Sequence, residues 1–206
     1  MSKKLASGDL KIGECIYYPD FNYKFNLESG VMPYIDVSIK GDVGDDMLLT
    51  FYKMVEDFKN EPRLSEIVQE IRVNLFSYGG DIDAGLSIID FVNKWNIETE
   101  NKISFVSTGC IASMGIPIML SGDKRYSYKS CRFLIHDVSC WLGYDRLKAL
   151  EENMIGLVAL KDMVKQMFKE KTKMKKGEID KLFDKEHWFG SKEALEYGII
   201  DEIYDF

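Results

Sequence analysis

From Pro33 onward, short apolar runs and longer amphipathic stretches take turns along the chain, and this alternation limits the fold more than any other property of the sequence. Residues 34–40 read as a strand, ended by Gly41-Asp42-Val43-Gly44. Asp45 is then expected to cap a helix whose apolar positions Met47, Leu48, Phe51, Met54, Val55 and Phe58 keep close to the helical repeat. Residues 70–77 read as a second strand, followed by Tyr78-Gly79-Gly80 and a helix carrying Leu86, Ile89, Phe91 and Val92 before Trp95. Residues 103–106 read as a short buried strand leading into Thr108-Gly109-Cys110-Ile111-Ala112-Ser113-Met114-Gly115. The apolar run 116–120 is expected as a buried helix, ended by Ser121-Gly122-Asp123, and residues 132–136 as another strand. Asp145 is expected to cap the longest helix, with Leu147, Leu150, Met154, Leu157, Val158, Leu160, Val164, Met167 and Phe168 on its apolar side. Ser191 should cap a short helix closed by Gly198, before a last strand at 199–203. Such alternation predicts an α/β fold with a largely parallel sheet.

A chain of 206 residues with no internal repeat, linker or low-complexity tract suits one domain. Its first 32 residues are the least regular; residues 16–19 and 21–25 read as edge strands or an ordered arm, since Pro19 bars a central strand. A formal charge of −7 argues against nucleic acid or an anionic membrane surface as a partner. No run of about 18 apolar residues is present to span a membrane, and Met1 to Glu14 lacks a signal-peptide apolar stretch. Cys15, Cys110, Cys131 and Cys140 have neither zinc nor redox spacing, so free thiols in a cytoplasmic compartment are expected, with no metal and no cofactor. No Walker-type glycine loop is present for ATP.

Only two histidines occur, His136 and His187, which shortens the search for a base of pKa near neutrality. His136 ends the apolar strand Arg132-Phe133-Leu134-Ile135, and strand ends in parallel sheets are where catalytic groups collect. A histidine satisfied by a backbone carbonyl is the plain alternative. Ser113 sits among small residues at a strand-to-helix junction, where free N–H groups suit a developing oxyanion. The two glycines of Tyr78-Gly79-Gly80 let backbone approach a ligand closely, though a tight turn explains them equally. The order of the pieces points further than any one of them: glycine turn, serine at a helix start, histidine at a strand end, then an acid.

Together these residues resemble the Clp protease proteolytic subunit and its phage relatives. The segment Phe76-Ser-Tyr-Gly-Gly-Asp-Ile-Asp-Ala-Gly85 is similar to that family's Ser-Pro-Gly-Gly…Ala-Gly, and Ala112-Ser-Met-Gly115 to its nucleophile motif. Arg132-Phe-Leu-Ile-His136 and Glu193-Ala-Leu-Glu-Tyr-Gly198-Ile-Ile-Asp201 resemble its later motifs, so the likeness runs from about Pro33 to Ile203. The resemblance implies a repeated β-β-α, crotonase-like superhelical fold with a long projecting helix over 145–173, in a peptidase domain spanning 33–206 after an N-terminal arm at 1–32. It implies a serine endopeptidase with Ser113 as nucleophile, His136 as base, and the backbone N–H groups of Gly80 and Met114 as oxyanion hole. The family's acid falls on Glu186, with Asp184 as competitor. His187 and Cys110 are set aside as base and as nucleophile. By the same resemblance the partners are unfolded polypeptide substrates, other copies of the chain in two stacked heptameric rings, and an AAA+ ATP-driven unfoldase.

Tyr78 departs from the family's proline, Asp137-Val138 from its Gln-Pro, and residues 1–32 from its axial segment, which leaves the unfoldase in question. A phage-type head-maturation protease of the same fold is the nearer alternative. A catalytically silent ring subunit, or an acyl-CoA enzyme of the crotonase group, are the more distant ones.

Overall fold

The computed structural model describes residues 16–18, 23–26, 33–139 and 146–204. The expected arm over 1–32 lies outside them apart from two short strands, and so do Cys15, Cys140 and Asp145. The elements are β1 (Ile16–Tyr18), β2 (Tyr23–Asn26), β3 (Tyr34–Lys40), α1 (Asp45–Lys59), α2 (Pro62–Ile67), β4 (Glu70–Ser77), α3 (Ile82–Glu98), β5 (Lys102–Ala112) and α4 (Gly115–Leu120). They continue as β6 (Arg125–Tyr128), β7 (Arg132–Ile135), α5 (Leu147–Lys171), α6 (Lys176–Phe183), β8 (His187–Gly190), α7 (Ser191–Tyr197) and β9 (Glu202–Tyr204).

Strands β3, β4, β5, β6 and β9 pair in parallel in that order, while β1 and β2 extend the β3 edge antiparallel. The expectation of an α/β fold with a mainly parallel sheet therefore holds. Strand β5 is much longer than the expected 103–106 and serves two partners on one edge. Phe105–Ser107 pairs with β6, and Cys110–Ala112 pairs with β7. The strand turns from one to the other at Gly109, whose φ of 63° an L side chain rarely adopts. Opposite this turn the β4–β5 register slips between Leu75 and Ser77. β8 then adds antiparallel to β7.

Two caps differ from expectation. Gly44, not Asp45, is the N-cap of α1, and no side chain bonds there; Asp45 and Asp46 instead place negative charge in the first turn. Gly190, not Ser191, is the N-cap of α7. The Ser191 hydroxyl is drawn inward, donating to the Tyr128 carbonyl at 2.7 Å and lying 2.9 Å from Ser127 Oγ. Gly198 closes α7 in the left-handed conformation, as expected.

The core lies between the sheet and helices α1, α3 and α4, with Phe51, Phe105 and Phe133 fully buried. In α5 only the C-terminal half enters it, through Val164 and Phe168; Met154, Ile155 and Val158 stay exposed. Among the described residues no helix is long and apolar enough to cross a membrane.

Candidate active site

Three parallel strands, β4, β5 and β7, lie side by side and end at the same edge of the sheet, the side on which α/β proteins collect ligands. Gly79 and Gly80 follow β4, Ser113 follows β5, and His136 follows β7. The β5–β7 register ends with Ala112 beside Leu134, and Ser113 N–H donates to the Leu134 carbonyl at 2.9 Å. Residues 23 apart in number are thus brought to one rim by strand pairing alone. Ser113, His136, Gly80 and Met114 line one cavity of about 370 Å³. Its remaining wall is mostly apolar, including Ile82, Pro117, Val164, Phe168 and Phe183.

Ser113 is the one non-glycine residue with positive φ, 51°, among the described residues. That conformation costs an L residue about 1–2 kcal/mol, so its surroundings must impose it. They do so from three sides. Its N–H is held by Leu134, its carbonyl accepts from Ile116 N–H at 3.1 Å, and Gly79 packs against its side chain. A Cβ on Gly79 would lie 2.5 Å from Ser113 Cβ, and Gly79 itself has φ 95°. Ser113 Oγ makes no hydrogen bond to any described residue, which leaves it available.

Gly80 bridges Val43 in parallel, but the bridge is made by Val43 N–H to Gly79 O and Asp81 N–H to Val43 O, each 2.8 Å. The N–H of Gly80 is turned away from that bridge. Neither it nor the N–H of Met114 donates to an acceptor among the described residues. Two free donors thus flank the cavity that holds Ser113. α4 has only six residues, so these local amides, rather than a long helix dipole, supply the positive field.

His136 Nδ1 lies 2.6 Å from the backbone carbonyl of Asp137. A carbonyl only accepts, so the hydrogen bond here is donated by Nδ1–H, and in the neutral ring that leaves Nε2 as the acceptor. Asp137 is itself tied down: its carboxylate accepts from Val138 N–H at 2.7 Å and from Lys161 Nζ of α5 at 2.7 Å. Partial burial would raise the Asp137 carboxyl, but the Lys161 and Val138 hydrogen bonds, with the charges of Lys161 and Lys165, outweigh it and hold it below its ordinary value.

Glu186 stands outside this set of contacts. The β7–β8 ladder ends with Ile135 beside His187, so His136 and Glu186 each lie one residue beyond its last pair. Its carboxylate is exposed, is not part of the cavity lining, and bonds to no described residue. Asp184 caps α6 and is likewise exposed. Neither is bonded to His136. His187 opens β8, with Nε2 3.2 Å from Glu193 Oε1. Cys110 and Cys131 are buried free thiols, and burial pushes the Cys110 thiol up against the pull of Arg132. Tyr78, the departure in the glycine turn, lines the cavity with its ring edge-on to Phe76 at 5.3 Å. His136 thus makes the backbone-carbonyl contact that the sequence left open as its plain alternative; which carbonyl it takes had no signal there, because a carbonyl is common to every residue. Among the described residues no cluster of side chains could hold a metal ion.

A family model described as Clp protease matches residues 64–206. Two relatives are ATP-dependent Clp protease proteolytic subunits 2. The one from Thermobifida fusca is 31% identical over 143 residues, covering 66% of this chain and 65% of the relative. The one from Tropheryma whipplei is 31% identical over 137 residues, covering 66% and 73%. The chain thus spans about two thirds of the length of these relatives. A solved structure of a ClpP1 point mutant from Listeria monocytogenes superposes with a TM-score of 0.68 at 25% identity, covering 83% of this chain and 91% of that one.

Proposed function

We propose, since the chain belongs to the Clp protease family, that it is a serine endopeptidase working through an acyl-enzyme. The observation that carries this reading is the strained Ser113, free at Oγ, sharing one cavity with His136 and two unclaimed amide donors. Ser113 Oγ attacks the peptide carbonyl carbon while His136 Nε2 takes its proton. The N–H groups of Gly80 and Met114 hold the oxyanion of the tetrahedral intermediate. The imidazolium then returns the proton to the departing amine as the C–N bond breaks. Water, deprotonated by the same Nε2, hydrolyses the ester and frees Ser113. Glu186, the residue just before β8, supplies the negative charge that balances the imidazolium.

A cavity of about 370 Å³ takes a side chain or two and their backbone, which suits an extended or unfolded stretch of polypeptide. The exposed apolar face of α5 suits burial against other copies, as in a closed ring chamber fed by an AAA+ unfoldase. Cleavage of a fluorogenic peptide by the assembled protein tests the chemistry. Wild type should hydrolyse it, and Ser113→Ala should lose on the order of 10⁶ in kcat. The unengaged carboxylate of Glu186 favours one second reading, a catalytically silent ring subunit. No turnover from an intact wild-type assembly would establish that reading instead.

A further inference from the structure

The base of this site is held by something other than its acid. His136 Nδ1 faces the Asp137 carbonyl at 2.6 Å, and that carbonyl's direction is set by the ψ angle of Asp137. The angle is locked locally, because Asp137 Oδ1 accepts from the N–H of the next residue, Val138, at 2.7 Å. The other carboxylate oxygen, Oδ2, accepts from Lys161 Nζ at 2.7 Å. Lys161 stands three residues before Val164 and seven before Phe168, so all three share one face of α5. Val164 and Phe168 are buried and form part of the cavity wall. The cation that grips Asp137 is therefore carried by the same helical face that closes the cavity.

We propose that Asp137 and Lys161 are a positioning pair for the catalytic base, fixing His136 with its proton on Nδ1 and its lone pair on Nε2, aimed at the nucleophile. The inference rests on the peptidase reading above and adds to it a role for two residues that do not touch the reacting atoms. Lys161 acts on Asp137, Asp137 acts on the imidazole, and the imidazole acts on Ser113. The division of labour follows from chemistry. A carbonyl orients a ring but carries no net charge, so charge balance is left to Glu186 while orientation belongs to Asp137.

The test compares Lys161→Met, which removes the cation but keeps an unbranched apolar side chain, with Lys161→Arg, which keeps the cation. Peptide hydrolysis and the rate of fluorophosphonate labelling of Ser113 are measured on the assembled protein. Lys161→Met should lower kcat about 10-fold with KM unchanged, within the roughly 10² that a 1 Å misplacement costs. Labelling should slow in parallel, and Lys161→Arg should stay within about twofold of wild type. In a His187→Gln background, leaving one histidine, the ¹⁵N spectrum should report the Nδ1–H tautomer for the lysine form and a tautomer mixture for Lys161→Met. Equal kcat and labelling in wild type and Lys161→Met would overturn the positioning pair alone. So would equal losses in Lys161→Met and Lys161→Arg, since the charge would then not matter. A wild type that no probe labels at Ser113 removes the peptidase reading itself, and this inference with it.

Discussion

Ser113 is held at φ 51°, at a cost of about 1–2 kcal/mol that its neighbours must offset. The tightest of those neighbours is Gly79, so Gly79→Ala is the sharpest single-residue probe of the geometry. Its added methyl meets Ser113 Cβ and is strained at φ 95°. It should lower kcat by about 10² or more and stability by about 1–3 kcal/mol, read by peptide hydrolysis and thermal melting. The acid is tested by neutralisation. Glu186→Gln should lower kcat by about 10², less than the roughly 10⁴ lost where the acid alone sets the tautomer, and Asp184→Asn should leave it unchanged. The Asp137–Lys161 pair carries a pH signature. Its folded carboxyl is held below the ordinary 3.8, so the stability it contributes is present above that value and is lost as pH falls through the lower, folded pKa. The difference in Tm between wild type and Lys161→Met should accordingly be small but measurable at pH 7 and should shrink as pH falls through the lowered carboxyl pKa. Ser113 and His136 could be found in the sequence because side-chain type and order carry the signal. The choice of the Asp137 carbonyl could not, nor could the packing of Gly79 against Ser113, since Tyr78-Gly79-Gly80 read only as a close backbone approach to a ligand or a tight turn.

At the scale of elements, the alternation of strand and helix was legible wherever an element was long enough to show its period. β3, β4, α1, α3 and α5 fall close to where the pattern put them. The elements that the pattern missed, α2, β6, α6 and β8, have four to eight residues each, too few for a repeat to register. β5 was read as 103–106, far too short, because the small-residue segment with Gly109 carries no strand period; Gly109 is the bend by which one strand leaves β6 for β7. That bend is what carries Ala112 beside Leu134 and Ser113 to the rim. The expected caps failed for a related reason: Ser191 had a better partner in the Tyr128 carbonyl than in its own helix. α5 earns its place through Phe168, which is fully buried, meets the Phe183 ring edge-on at 5.4 Å and lines the cavity. Phe168→Ala should destabilise the fold by about 3–5 kcal/mol in denaturant titration and weaken substrate binding as the wall recedes.

For the molecule as a whole, periodicity named the fold class but not the order of strands, which depends on pairings between distant segments. The parallel rim formed by β4, β5 and β7 is such a pairing, and it is what turns separate motifs into one site. The long apolar stripe of α5 was legible too, yet only its second half finds cover within the chain. If the first half is buried against other copies, Ile155→Lys with Val158→Lys should yield smaller species in native mass spectrometry and reduce hydrolysis, leaving the monomer fold intact. The central claim is that Ser113 and His136 act together on an acyl group. It is tested most directly by treating the protein with a fluorophosphonate and mapping the adduct by peptide mass. Wild type should carry the adduct on Ser113, His136→Ala should acquire it far more slowly, and Ser113→Ala should carry none; equal labelling of all three proteins, or an adduct on a different residue, would contradict the account.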